Sequence, residues 1–268
     1  MTNPARRVVN INHYRKNHHK RRSAGNYRWI LVLLFLIICI CAGYFFSLSP
    51  LFSISEMVIK GNDTVTSDHI EELSGIKCGA NIFSVNEDRI KMWLSIDPTI
   101  KSAQVIRHLP STIEITIEER PAIAILPTGQ GFLYLSADGI VLLRQSKVSS
   151  LPLPLIVGAK DLFSDLVPGS KITDDNVKAG LVIVEQMAQD SLDMVAEINV
   201  EDTQKIKFFT MSDIEIRVGD STNFGEKYKV FLEIYREQEK GNKLGGVQYI
   251  DVSVFDKPVI YYGNNAKI

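Results

Sequence analysis

The chain has 268 residues, with 30 Lys/Arg against 31 Asp/Glu for a formal net charge of −1, 45% hydrophobic residues and three cysteines. Cys39 and Cys41 lie in one apolar run and Cys78 stands alone, so no disulfide framework is available within one chain and any folded domain must be held by its core. The near-neutral total hides an uneven split: the first 28 residues hold eight Lys/Arg and no acid, leaving 22 Lys/Arg and all 31 acidic residues beyond them, net −9.

The eight bases are Arg6, Arg7, Arg15, Lys16, Lys20, Arg21, Arg22 and Arg28. A tail of this composition is expected to be disordered, and each base beside a bilayer gains about 1 kcal/mol from anionic lipid. Residues 15–22 also resemble a nucleic-acid patch, but no aromatic platform accompanies them, and no nucleic-acid partner is expected. From Trp29 to Leu48 run twenty apolar or small residues with no charge and no proline. At about 1.5 Å per residue such a helix crosses a hydrocarbon core of roughly 30 Å with its backbone satisfied internally. The positive-inside rule places the tail, 1–28, in the cytoplasm and everything after Ser49 on the far side. A cleaved signal peptide fits less well, since its apolar stretch is usually about 7–15 residues and it ends on a clearer small-residue site than Ser47-Leu48-Ser49. A lipoprotein signal needs a small residue before the acylated cysteine, whereas Ile38 precedes Cys39 and Ile40 precedes Cys41. The expectation is a single-pass type II protein of the inner (plasma) membrane with its anchor bounded by Trp29 and Leu48; a buried core helix is the other option.

Beyond the anchor, Phe52 to Lys60 alternates loosely and ends at Gly61-Asn62-Asp63, which predicts a strand and a turn. Thr66 or Ser67 caps a short helix that carries Asp68, Glu71 and Glu72 near its positive end and stops at Gly75. Ser84 and Glu87 have the spacing of a capping box. Ile90, Trp93 and Leu94 then form the stripe of a second helix, closed by Asp97-Pro98. Ile100 to Arg107 and the strictly alternating Ile113 to Glu118 are two strands joined across Leu109-Pro110-Ser111. The order is β-α-α-β-β.

Three segments carry a family resemblance: Ile59-Lys60-Gly61-Asn62; Ser74-Gly75-Ile76 with Gly79 and Asn81-Ile82-Phe83; and above all the run from Arg107 through Leu109-Pro110-Ser111-Thr112, Ile113, Ile115 and Ile117 to Glu119-Arg120-Pro121. They resemble the POTRA domain of the bacterial cell-division protein family FtsQ, called DivIB in other bacteria. The resemblance extends over the full chain, tail and single anchor included, and implies a docking module for other polypeptides.

After Pro121, Ala122 to Leu126, Phe132 to Leu135 and Ile140 to Leu143 read as a meander with turns at Gly129-Gln130-Gly131 and Ala137-Asp138-Gly139. Leu151 to Leu155 is extended and ends at Ile156-Val157-Gly158. Thr173 caps a helix over Asp174 to Gln189 striped by Val177, Leu181, Val184 and Met187. Strands follow at Ala196 to Val200, Lys205 to Thr210 and Ile214 to Val218. Phe224, Tyr228, Phe231, Leu232 and Tyr235 stripe a helix over Phe224 to Glu239, a pattern suited to packing on a sheet. Tyr249 to Ser253 and Asp256 to Ile260 resemble the closing strand and edge strand of the family's second domain. The fold class is α+β: basic tail 1–28, transmembrane helix 29–48, POTRA domain 49–120, a mixed β-sheet domain covered by helices at 121–262, and a C-terminal tail 263–268.

Pro258 lacks an N–H and therefore belongs at a sheet edge, where Val259, Ile260, Tyr261 and Tyr262 would be a hazard unless covered. Cover by another chain's strand is β-augmentation. The resemblance implies that this edge receives an FtsB-like (DivIC-like) protein complexed with an FtsL-like one. The candidate partner site is Ser253, Val254, Phe255, Asp256, Lys257, Pro258, Val259, Ile260, Tyr261 and Tyr262. Where Gram-negative members often carry a basic residue, this chain has Ser253, and Asp256-Lys257 is the feature that could blunt the edge. Other divisome membrane proteins are expected on the POTRA domain and the anchor, together with the lipid bilayer.

The opposing possibility is a membrane-anchored cell-wall enzyme of the penicillin-binding type. Ser74-Gly75-Ile76-Lys77 fits S-x-x-K and Ser221-Thr222-Asn223 fits S-x-N, but no Lys-Thr-Gly or Lys-Ser-Gly occurs, and Gly75 puts Ser74 at a helix end rather than its start. Only His69, His108 and Cys78 offer soft metal ligands beyond the anchor, in separate elements, and no glycine-rich phosphate loop is present. No catalytic residue, metal or cofactor is expected. A POTRA protein of outer-membrane secretion would continue into a many-stranded barrel, for which the chain has no room.

Overall fold

The computed structural model describes residues 25–148, 152–159, 163, 165–187 and 189–263. The basic tail up to residue 24, Leu151 and the end of the C-terminal tail, 264–268, lie outside the described residues. The chain divides into two compact units, Met1–Pro50 and Leu51–Ile268.

The first unit contains helix α1, Gly25–Ser47, whose 23 residues extend about 35 Å at 1.5 Å per residue. It begins four residues before Trp29 and stops one short of Leu48, which sits in a turn with its N–H donated to Phe45 O. The apolar side chains from Tyr27 to Phe46 are exposed, and the helix is long and apolar enough to cross a membrane.

In the second unit, β1 (Glu56–Lys60), α2 (Ser67–Ser74), α3 (Glu87–Leu94), β2 (Ile100–His108) and β3 (Thr112–Glu119) build a three-stranded sheet in the order β1-β3-β2. β3 is central, parallel to β1 and antiparallel to β2. Its alternation puts Ile113, Ile115 and Ile117 into one core with Ile70 of α2 and Ile90 and Leu94 of α3, which is why both helices lie on that face. Thr66 caps α2 and Gly75 ends it in the left-handed conformation. The cap of α3 is Asn86, whose side chain accepts from the Arg89 N–H, and not the expected Ser84. Ser84 instead ends a short 3-10 turn, Ile82–Ser84, and its hydroxyl donates to Asn81 O, so it is spent two residues before the cap of the helix. The expected strand from Phe52 begins only at Glu56, because Pro50–Phe52 forms a 3-10 turn and Ser53 bridges to Asn81. At Gly61 (φ 77°) a Cβ would stand 2.1 Å from the Ile117 carbonyl oxygen, so the turn after β1 can only be made by glycine.

Twelve strands in all are assigned among the described residues. β4 (Ala124–Thr128), β5 (Gly131–Leu135), β6 (Val141–Gln145), β7 (Leu155–Val157), β8 (Val195–Asn199), β9 (Ile206–Thr210), β10 (Glu215–Gly219), β11 (Val247–Asp251) and β12 (Val259–Tyr262) form one sheet in the order β12-β11-β10-β9-β8-β7-β4-β5-β6. The parallel neighbours β7/β8 and β10/β11 are each joined through a helix, α4 (Asp175–Gln186) and α5 (Phe224–Lys240). β7 and β10 run the same way, because β8, β9 and β10 alternate in direction and β7 is parallel to β8. Both crossovers also step the same way along the sheet, so right-handedness puts both helices on one face. A single core results, with Val177, Leu181 and Val184 of α4 and Phe224, Tyr228, Phe231 and Tyr235 of α5 among its buried side chains. Asp174, not Thr173, caps α4: its carboxylate accepts from the Val177 N–H at 2.9 Å. The helix ends at Gln186, where the Met187 N–H closes onto Ile183 O and Val184 O, three residues before the expected Gln189. Asp174→Ala is expected to cost about 1 kcal/mol and Thr173→Ala much less; equal urea midpoints for the two variants would contradict the assignment.

Arg120 ties the two sheets together, while its neighbour Glu119 fastens the β1–α2 loop to the end of β3. Arg120 Nη1 donates to Pro98 O and Ile100 O, both at 2.9 Å, while its Nε lies 3.3 Å from Asp138 Oδ2 in the β5–β6 turn. The Glu119 carboxylate accepts three backbone N–H groups, from Asp63 (2.8 Å), Thr64 (3.0 Å) and Val65 (2.8 Å). Partial burial alone would raise its pKa, but these donors win and hold it below the ordinary value. Glu119→Gln is expected to cost about 1–2 kcal/mol at pH 7, a figure discounted for partial exposure. A folded pKa below the unfolded value of about 4.3 means that the contribution is present above that pH and is lost as pH falls through the folded value. The difference in urea midpoint between wild type and Glu119→Gln should therefore close below about pH 4. A difference undiminished at pH 3 would rule the charge out as its source.

Candidate partner-docking edge

The two ends of the large sheet are treated differently. Along β6, the Val141 N–H donates to Ser170 O (2.9 Å) and its carbonyl accepts from Gly169 N–H (2.8 Å), and Arg144 Nη2 reaches Leu166 O at 2.6 Å. The chain's own segment thus lies over that edge. At the other end, β12 has β11 as its one strand neighbour among the described residues, in the antiparallel register Asp251↔Val259, Ile250↔Ile260 and Tyr249↔Tyr261. Val259 and Tyr261 point to the face without helices, 53% and 46% exposed. Ile260 packs against the core, and the Tyr262 hydroxyl donates to Gln238 Oε1 of α5 at 2.9 Å.

Of the ten expected site residues, Val259, Ile260, Tyr261 and Tyr262 form the strand. Ser253 to Pro258 does not. Ser253 turns back on Asp251, both its N–H (2.9 Å) and its hydroxyl (2.6 Å) donating to Asp251 Oδ1, and the Lys257 N–H closes a turn onto Val254 O at 2.9 Å. The chain from Ser253 to Lys257 therefore turns instead of joining the ladder, and Val254 and Phe255 are left exposed beside the strand. Pro258 stands immediately before β12 rather than within it, where its missing N–H costs no ladder bond.

The open face beside β12 is polar and aromatic. Arg217 of β10 lies 3.7 Å over the Tyr249 ring of β11, which stacks on Tyr261 at 4.9 Å and 9°. Arg217 Nε is 2.7 Å from Glu215 Oε1, and this hydrogen bond raises the guanidinium pKa further above its usual value. A groove of about 870 Å³ on this face is lined in part by Lys207, Glu215, Arg217, Asp251 and Ser253. None of these was picked out from the sequence except Ser253. The available signal was only that Arg217 and Tyr249 occupy alternating strand positions, and that does not reveal that their strands pair in parallel.

Comparison with known proteins gives this geometry a context. Residues 52–120 match the model of the POTRA domain, FtsQ-type, and residues 124–253 match that of cell division protein FtsQ/DivIB, C-terminal. The chain belongs to the FtsQ/DivIB family. It is 24% identical over 258 residues to cell division protein DivIB of Clostridium botulinum, covering 95% of this chain and 97% of that protein. It is 26% identical over 223 residues to cell division protein FtsQ of Syntrophotalea carbinolica, 82% of this chain and 77% of that one. A solved structure of the major extracytoplasmic domain of DivIB from Geobacillus stearothermophilus aligns with a TM-score of 0.34 at 18% identity, over 46% of this chain and 97% of that one. Kinship with FtsQ/DivIB supports a divisome role with other division proteins as partners, and the single N-terminal apolar helix is consistent with a membrane anchor. The family match stops at residue 253, so β12 lies beyond it.

Elsewhere in this FtsQ/DivIB-family chain the titratable groups serve local structure. His69 Nε2 pairs with Asp97 Oδ2 at 2.8 Å and His108 Nε2 with Glu114 Oε2 at 3.2 Å, in separate places, and no group of three His, Cys, Asp or Glu side chains is set to hold a metal among the described residues. Ser74 is 1% exposed; its hydroxyl donates to Glu71 O (2.7 Å) and accepts from the Ile76 N–H (3.2 Å).

Proposed function

We propose that this chain is a non-enzymatic assembly protein of the divisome that captures an FtsB/FtsL-like pair by β-strand addition to β12 and links early and late division proteins at the septum. The observation that carries this is that the outer edge of β12 has no strand beside it among the described residues, on a sheet whose other edge is shielded by its own chain. Exposed Val254, Phe255, Val259, Tyr261 and Tyr262 around that edge supply apolar contact for the incoming strand. The proposed division is a cytoplasmic tail at 1–28, a span at 29–48 in the inner membrane, a POTRA domain at 49–120 that docks other division proteins outside the cytoplasm, the sheet domain at 121–262 and a tail at 263–268. Tethering by the span raises the effective concentration of weak contacts at the division site. The buried, doubly hydrogen-bonded Ser74 supports a non-catalytic role, since an acylating serine must face a substrate.

The experiment is capture of the FtsB/FtsL-like pair by the full chain in lipid nanodiscs, comparing wild type, Val259→Glu and a chain ending at Pro258. Capture should fall in Val259→Glu and be lost without the strand. Undiminished capture by the shortened, folded chain would refute the edge. Covalent labelling of the wild type by a fluorescent penicillin would instead favour the wall-enzyme alternative.

A further inference from the structure

A continuous run of side-chain contacts crosses the open face of the sheet from its interior to its edge. Lys207 Nζ of β9 lies 3.8 Å from Glu215 Oε2, and Glu215 Oε1 holds Arg217 Nε at 2.7 Å. Arg217 covers one face of Tyr249 at 3.7 Å, and the other ring in the stack, Tyr261, belongs to β12. The register makes the run possible, since Glu215 pairs with Tyr249 and Tyr249 with Tyr261.

We propose that Arg217, Tyr249 and Tyr261 are positioning residues that keep β12 ordered in the free protein, so that the docking edge is already formed when a partner strand arrives. This rests on the docking edge proposed above for its purpose, but not for its test. β12 has four residues and one strand neighbour, the circumstances in which a terminal strand frays. On the helix side it is held by Ile260 and by the Tyr262–Gln238 hydrogen bond. On the other side Val259 is 53% exposed, and the ring contact on that face is the stack of Tyr261 on Tyr249. Parallel stacking of rings and a guanidinium over a ring are both attractive, and Glu215 keeps that guanidinium in place. An acceptor strand that is already ordered spares the partner the entropy of ordering it.

The test is amide hydrogen exchange of the full chain in lipid nanodiscs, without partner. In Tyr261→Ala the β12 amides that bond to β11 should exchange about tenfold faster, and in Arg217→Ala several-fold faster, with β9 and α5 unchanged and the thermal midpoint nearly so. Tyr261→Phe, which keeps the ring, should exchange as the wild type does. Wild-type β12 amides already as fast as unprotected chain, or Tyr261→Ala and Arg217→Ala both indistinguishable from wild type, would overturn the brace whatever happens to capture. Faster exchange in these variants together with undiminished capture of the FtsB/FtsL-like pair by the chain ending at Pro258 would leave the brace standing and remove the docking edge.

Discussion

A chain ending at Pro258 is expected to lose at least about thirtyfold in affinity for the FtsB/FtsL-like pair. A four-residue edge strand turns about two N–H and two C=O groups outward, each worth about 0.5–1.5 kcal/mol net, and 1.4 kcal/mol is a factor of ten. The shortened chain also gives up the Ile260 packing and the Tyr262–Gln238 bond, so its fold must be checked by circular dichroism before the capture result is read. Val259→Glu supplies the milder arm: it keeps the backbone edge and places a charge where the open face meets an incoming strand, and a several-fold loss is expected. Equal capture by all three proteins, measured by biolayer interferometry, would mean that the pair docks elsewhere.

Phe231→Ala is expected to destabilise the sheet domain by about 3–5 kcal/mol. Phe231 is fully buried, meets Phe208 edge-on at 5.1 Å and contacts Tyr228 and Tyr235, each at 5.6 Å, so its removal opens a cavity beneath β9 and α5 and breaks three aromatic contacts. The POTRA sheet has its own core, built on Ile113, Ile115 and Ile117, which shares no buried residue with that of the larger sheet. In Phe231→Ala, hydrogen exchange should therefore accelerate throughout the nine-stranded sheet while β3 keeps most of its protection. A change in urea stability below about 1 kcal/mol would mean that the site collapses without cost, contrary to the packing described.

The span and most of the elements were legible along the chain because each depends on near neighbours. Twenty uncharged residues make a helix long enough for a bilayer wherever they occur, the alternation of β3 declares its buried face, and the stripe from Phe224 to Tyr235 declares that of α5. The caps of α3 and α4 were misplaced by one or two residues, since Ser84 and Thr173 have the right chemistry and only the backbone decides between them and Asn86 or Asp174. Pro258 pointed to an edge near the right place for an incomplete reason: it lies outside the strand, and β12 is terminal because the crossover through α5 sets β11 at the sheet's end and the turn at Val254 to Lys257 folds β12 onto its far side.

Local chemistry alone thus determined an apolar helix long enough to cross a bilayer, a β-α-α-β-β unit and a set of strands and helices with known buried faces. Strand order, the parallel pairings, the shielding of β6, the lack of a second strand neighbour for β12 among the described residues, and the stack of Arg217, Tyr249 and Tyr261 were decided only by the tertiary structure. Those features depend on which distant strands lie side by side and in what register, and the free energy that selects among such pairings is shared across the whole core.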